Sequence, residues 1–188
     1  ADSSCFSQLG NAECVMGLKS HGVNYREDLK GKKVAYASGT SSETILKRAL
    51  NSVGLTMDDI EAYDMEVSNM VSAIVSGSID ACAPWSPSST TIANELGDDV
   101  QTFCTNTTFS DIAADCASWI CMPSYAETNK VVLVKFTKAL YKAMDFASNP
   151  DNYDEVAGYV AQECGTDKES AIAKTGDGAW LDSATLLK

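Results

Sequence analysis

Arginine is nearly absent from this chain: only Arg26 and Arg48 occur among 188 residues. That removes the usual bidentate readers of phosphate. Lys and Arg total 14 against 26 Asp and Glu, a formal net charge of −12. Such a chain repels polyanions, so nucleic acid is not an expected partner. Histidine occurs once, at His21. One imidazole cannot build a Cys/His zinc site with the neighbours visible in sequence, and it leaves acid–base pairs and a Ser/His/Asp arrangement without a suitable histidine. No apolar run approaches the length that crosses a bilayer. The opening ADSSCFSQLG lacks a basic region followed by an apolar stretch, so any export signal is expected to have been removed. Cys5 is accordingly not placed as a lipid-anchored first residue. Internal repeats and low-complexity segments are also missing.

Cysteine, by contrast, is plentiful, with seven in the chain, yet no C-x-x-C pair is present and the spacing instructs little. Cys82 falls in an apolar strand-like run and reads as a small buried hydrophobe. Cys104, Cys116 and Cys121 lie near a proposed strand and crossover, where one disulfide and a set of free thiols are both open readings. An odd count leaves at least one cysteine unpaired within a monomer.

The first ten residues are polar and read as ragged. ECVMGLKS (13–20) reads as a strand, HGVNYREDLKG (21–31) as a loop and KKVAYAS (32–38) as a second strand. A helix follows, with Ile45, Leu46, Ala49, Leu50 and Val53 on one face and Gly54 as its stop. The pattern then repeats: strand 60–65, a helical stripe of Met70, Val71, Ile74 and Val75, strand 78–85, a helix near 88–96 and strand 99–104. Alternation of this kind predicts a mostly parallel sheet with right-handed crossovers. Residues 31–105 are thus expected to form one complete α/β lobe. Residues 106–122 are read as a crossover with a return strand at 117–122. Beyond 123 the chain is largely helical, with stripes at Val132, Phe136, Leu140, Ala143, Met144 and at Tyr153, Val156, Val160, Cys164. These helices either pack on the first lobe or lack their sheet partners.

The densest chemistry lies in DLKGKKVAYASGTSSETILKRAL (28–50). A strand ends in Ser38-Gly39-Thr40-Ser41-Ser42 and turns directly into a helix. Gly39 permits the turn, and the helix start faces the carboxyl edge of the sheet, where open α/β sheets bind ligands. Free N–H groups with the hydroxyls of Ser38, Thr40, Ser41 and Ser42 form a cradle for an anionic or polar group. The same residues also fit a purely structural capping box, Thr40 with Glu43. The P-loop spacing is missing, and Glu43 disfavours a multiply charged anion. In SGSIDACAPWSPSS (76–89), Trp85 and Ser86 reach the same edge, with Trp85 held between prolines as a wall for a ligand or as a core residue closing the sheet. Asp80 reads as structural, at a turn into its strand. Glu66 and Ser68 follow strand 60–65 at that edge.

The segments DLKGKKVAYASGTSSETILKRALNSVGLTMDDI (28–60) and MVSAIVSGSIDACAPWSPSS (70–89), in this order, resemble the nitrate/taurine/sulfonate/pyrimidine-precursor group of type II solute-binding proteins. The resemblance extends over about 30–150. It implies two α/β lobes of the periplasmic-binding-protein type II fold, with a ligand in the cleft and hinge closure around it. Residues 31–105 would be the second lobe, residues 1–30 and 123–188 the incomplete first. The family's N-terminal half-lobe is expected to be missing before residue 13, and the end to be short. Exposed apolar helices at 130–164 would then call for a compensating contact, such as a dimer through the first-lobe surface. The implied function is an extracytoplasmic receptor, periplasmic or lipid-anchored, that binds a small polar organic solute without catalysis or cofactor and delivers it to an ABC permease. The acidic, arginine-poor surroundings favour a zwitterionic or aromatic solute over a phosphate ester. The alternatives are a pyrimidine-precursor enzyme of the same fold, whose cysteine-rich motif and histidines are not matched here, and the effector-binding domain of a regulator.

Overall fold

The computed structural model describes residues 3–9, 11–113, 115–165, 167–175 and 178–186, and the side chains of Cys5 and Cys116 lie outside the described residues. The chain divides into two units, one of Ala1–Gly10 with Ala114–Lys188 and one of Asn11–Ala113. Strand β1 (Ser3–Leu9) belongs to the first. The second is continuous in sequence and runs through β2 (Cys14–Leu18), β3 (Lys33–Tyr36), α1 (Ser41–Asn51), β4 (Glu61–Asp64), α2 (Val67–Val75), β5 (Ala81–Cys82), α3 (Ser88–Leu96) and β6 (Val100–Thr105).

Its sheet has the order β4-β3-β5-β2-β6. Strand β3 pairs in parallel with β4 and β5, while β2 is antiparallel to β5 and β6. The carboxyl ends of β4, β3, β5 and β6 therefore share one edge with the amino end of β2. Both faces are covered. On one, Val15, Val34, Ala81 and Cys104 pack against Ile45, Leu46, Ala49 and Leu50 of α1. On the other, Met16, Leu18, Ala35 and Cys82 meet Met70, Ile74 and Ile92 of α2 and α3. Helix α1 forms because its apolar residues recur at helical spacing and Thr40 caps its start.

The strand at 13–20 is where the expected domain boundary moves. The sequence reading left residues 1–30 with the incomplete first lobe, whereas β2 lies in the middle of the second unit's sheet. All five of its residues are buried, which is the signature of a central strand covered on both faces. Gly17 of β2 lets the chain pass close to Val23 and Phe103; a Cβ there would sit 2.5 Å from Val23 Cγ1.

The first unit continues with β7 (Asp115–Ile120), α4 (Pro123–Thr128), α5 (Lys130–Ser148), α6 (Tyr153–Cys164), α7 (Lys168–Ala173), β8 (Gly178–Trp180) and α8 (Ser183–Leu186). Residues 3–9 are not ragged: β1 pairs antiparallel with β7 and with β8, giving the order β7-β1-β8. The helices after 123 thus have a sheet in their own unit. Helices α6 and α7 bury Ala157, Ala161 and Ala171. Asp145 of α5 accepts from Ser183 N at 2.7 Å and from Ser183 Oγ at 2.9 Å, fixing the start of α8.

No disulfide joins Cys104 or Cys121, which are free thiols like Cys82 and Cys164. That overturns the reading of a bridge among 104, 116 and 121. Cys104 is packed in the core beneath α1, and burial pushes its thiol up to about 11. Burial likewise pushes the Cys82 thiol well above its ordinary value.

Candidate functional site

The parallel strands carry the predicted site residues to one edge of the second unit. Strand β3 ends at Tyr36, and Gly39 turns the chain with φ 70°, a left-handed conformation that glycine adopts without strain. The expected capping box is present in displaced form. Thr40 Oγ1 accepts from Ser42 N at 3.2 Å, while Glu43 Oε2 accepts from Gly39 N at 2.7 Å rather than from the capping residue's own N–H. Thr40 Oγ1 also donates to Ala37 O at 2.7 Å. The N–H groups of Thr40, Ser41 and Glu43 have no acceptor among the described residues.

The hydroxyls divide into two kinds. Ser41 is exposed, and its side chain has no hydrogen-bond partner among the described residues. Ser42 is fully buried: its Oγ accepts from Ala37 N at 3.0 Å and donates to Ala83 O at 2.6 Å. It ties β3 to the end of β5 and cannot face a ligand, which corrects its place in the predicted cradle. Ser38 is exposed, but its N and Oγ both donate to Asp64, at 2.9 and 2.6 Å. Those bonds hold the Asp64 carboxyl below the usual carboxylate range. Glu43 is lowered too, by Lys47 and then by Gly39 N–H. Two ionised carboxylates therefore frame the helix start. Glu66 stands exposed at the N-cap of α2.

Trp85 is half-buried and packs against the cluster that holds Met16, Ala35 and Cys82. That packing is the core-closing one of its two readings. Ser86, also half-buried, donates its N–H to Ala12 O at 2.8 Å. Across from Trp85, in an antiparallel bridge, is Glu13. Glu13 is 5 % exposed, and its N–H donates to Oδ1 of the buried Asn106 at 2.9 Å. Sequence reading missed both residues. Glu13 sits one position before an apolar run, which is the only local signal, and Asn106 reaches it across 93 positions.

His21 and Asp80 occupy the opposite edge. Asp80 Oδ2 accepts from Lys33 N at 2.8 Å where β3 begins, and Asp80 Oδ1 lies 2.7 Å from His21 Nδ1. Asp80 is thus structural, as expected. Its carboxyl is held low because the Lys33 N–H and His21 bonds outweigh desolvation by burial, the largest single influence and an opposing one. The chain's one histidine is engaged there, away from the loops that follow β3, β4 and β5.

The first unit carries a separate groove of about 590 Å³ between β7, α4 and α5. Trp119 and Phe136 meet edge to face across it, with ring centroids 5.6 Å apart. Its lining is largely aromatic and aliphatic, including Ile120, Tyr125, Val132 and Leu140, with Thr137 and Lys138 among them. None of the predicted site residues contributes to it.

The family model described as NMT1/THI5 like matches residues 8–153, a span that includes both edge loops and β2. The chain belongs to the NMT1/THI5-like family. Among relatives of this NMT1/THI5-like chain, a candidate binding protein of Brucella abortus (strain 2308) is 28 % identical over 172 residues, 91 % of this chain and 53 % of that one. The chain spans about half the length of that relative. The taurine-binding periplasmic protein of Escherichia coli (strain K12) is 25 % identical over 77 % of this chain and 44 % of its own. The periplasmic aliphatic sulphonate binding protein SsuA from Escherichia coli superposes with a TM-score of 0.75 at 21 % identity, covering 98 % of this chain and 64 % of that one. The desulfurization enzyme DSZB does so at 0.70 and 13 % identity, covering 90 % and 62 %. The family's fold is the periplasmic-binding-protein-like one expected from sequence. That fold carries binders and an enzyme alike, so function has to be argued from the site.

Proposed function

We propose that the whole protein is a solute-binding receptor of an ABC importer, acting outside the cytoplasm and holding a small polar organic solute without catalysis. The observation that carries this reading is the family match across residues 8–153, which contains the edge where Gly39–Ser41 and Trp85 converge. The N–H groups of Thr40, Ser41 and Glu43 are suited to an anionic oxygen at the positive end of α1. Trp85 offers an apolar wall beside them, and Ser86, Glu66 and the backbone of Ser38 complete the rim. Engagement of His21 with Asp80 at the far edge argues against a histidine acid–base mechanism at this one. The partner that takes the solute onward is a membrane permease.

Thermal-shift screening of the full-length protein against sulfonates, amino acids, pyrimidines and nitrate tests the reading. A ligand at 100 times its Kd should stabilise by about 2.7 kcal/mol; stabilisation by none of these classes would sink the receptor reading. Trp85→Ala should weaken the ligand found in that screen about 10-fold or more, in line with loss of an aromatic wall. Unchanged affinity by calorimetry would remove Trp85 from the site.

The apolar surface of α5 supports a second element of the proposal. Val131, Val132, Val134 and Phe136 are 69, 51, 54 and 45 % exposed, and such a patch calls for a covering surface. For this chain by itself we assign that surface to a second copy. Sedimentation should then show a dimer at micromolar concentration that Val132→Glu converts to monomer; a wild-type monomer at high concentration would refute the pairing.

A further inference from the structure

Helix α5 carries two rows of residues at coiled-coil spacing, and only one of them is covered. Leu133, Thr137, Leu140 and Met144 form the covered row; the first three are partly buried and Met144 is 1 % exposed. The other row is Val132, Phe136, Ala139, Ala143 and Phe146, all exposed. Its spacing alternates four and three residues, which is the heptad seam by which one helix seats another. Trp119 meets Phe136 edge to face and so props the amino-terminal half of the seam. Between Phe136 and Phe146 the seam narrows to Ala139 and Ala143, a shallow hollow that admits larger side chains from a facing helix.

Beside the seam runs a row of positive charge. Lys135, Lys138 and Lys142, at i, i+3 and i+7, share the adjoining face, and all three are exposed. None has a carboxylate partner among the described residues. Asp145, the one acidic residue of α5, is occupied by the N–H and hydroxyl of Ser183 instead. On a chain of net charge −12, this row is a local reversal of sign.

We propose that this face docks an amphipathic helix of a partner protein, one whose apolar heptad seam is flanked by Asp or Glu. The seam provides the apolar contact, and the lysines select the sign of the partner's flank. A second copy, which covers the face when the chain is by itself, is the poorer occupant. Two α5 helices packed antiparallel set Lys135 and Lys142 against their own counterparts, and like charges at those flanking positions repel. A bilayer also fits less well: a helix lying in a lipid surface needs a broad apolar face, whereas two residues in seven make a narrow stripe. None of the sheet-edge residues assigned to a solute takes part.

Two designed peptides of about 21 residues, three heptads sharing one leucine seam, provide the test, one flanked by Glu and the other by Lys. Fluorescence anisotropy with the 188-residue chain should show the acidic peptide binding at least about 10-fold tighter, although the overall charge favours the basic one. That preference should shrink as salt rises. Lys135→Glu combined with Lys142→Glu should reverse it at an unchanged melting temperature, since both side chains are exposed. Ala139→Trp, which fills the hollow, should weaken the acidic peptide about 10-fold. Equal binding of the two peptides, a preference that the double variant keeps, or binding only to vesicles of anionic phospholipid overturns the assignment. In sedimentation the acidic peptide should also displace the second copy. A dimer that persists at saturating peptide overturns the docking of an acidic helix and leaves the pairing standing, whereas a wild-type monomer that binds the acidic peptide supports the docking and removes the pairing.

Discussion

Ser42→Ala is expected to lower the stability of the 11–113 unit by about 3 kcal/mol, with Ser41→Ala beside it costing no more than about 0.5 kcal/mol. The contrast follows from burial. The Ser42 hydroxyl is inaccessible and joins Ala37 N to Ala83 O. Alanine would leave both a backbone donor and a backbone acceptor buried without partners, at about 1–3 kcal/mol each before relaxation. For a unit of this size that corresponds to a fall in Tm of roughly 10–20 °C. Urea unfolding of the two variants measures it, and a Ser42→Ala midpoint equal to the wild type would show that the hydroxyl does not bridge β3 and β5. Ser41→Ala should instead alter affinity for a ligand at the helix start, leaving the unfolding curve in place.

The second large effect is expected at Gly17. A methyl group added there would lie 2.5 Å from Val23 Cγ1 and 2.9 Å from Phe103 Cε1, with Val23 fully buried. Overpacking of that kind costs about 2–3 kcal/mol when the neighbours cannot withdraw. Val23 is anchored by its N–H to Leu18 O at 3.0 Å, so its backbone cannot move aside without loss. Removing the obstruction tests the cause: Gly17→Ala combined with Val23→Ala should be more stable than the sum of the two single losses predicts, by about 1 kcal/mol or more. Strict additivity in chemical denaturation would mean that the added methyl is accommodated elsewhere.

These two positions also mark how far the sequence could be read. The alternation from β3 to β6 was legible because each element carries its own period: Ile45, Leu46, Ala49 and Leu50 at helical spacing, and β-branched or small residues in KKVAYAS. The turn at Gly39 with its cap at Thr40 was legible for the same local reason. What escaped is set by distant pairing. Strand β2 joins Met16 to Cys82 and Gly17 to Gln101, and nothing within CVMGL says which sheet it enters. Polar β1 looked ragged because its order comes from β7, more than a hundred residues away. At the site, hydroxyl residues were visible but their direction was not: Ser41 and Ser42 are neighbours in sequence, and one helical step of about 100° separates solvent from core. Glu13 was hidden by its surroundings, since an acidic residue at the start of a strand ordinarily lies in water.

The pairing of β1 with β7 bears on the order in which the chain folds. Leu9 is opposite Asp115, so joining them in an unfolded chain closes a loop of about 100 residues, an entropic cost of about 4 kcal/mol. Inside that loop, Asn11 Oδ1 accepts from the hydroxyls of Thr105 and Thr107 at 2.8 and 3.0 Å. Once the inserted unit has formed, these bonds hold its entry and exit together and the long loop becomes a short one. Refolding should therefore proceed from the inside outward, with the inserted unit acting as the template that makes the β1–β7 pairing entropically affordable.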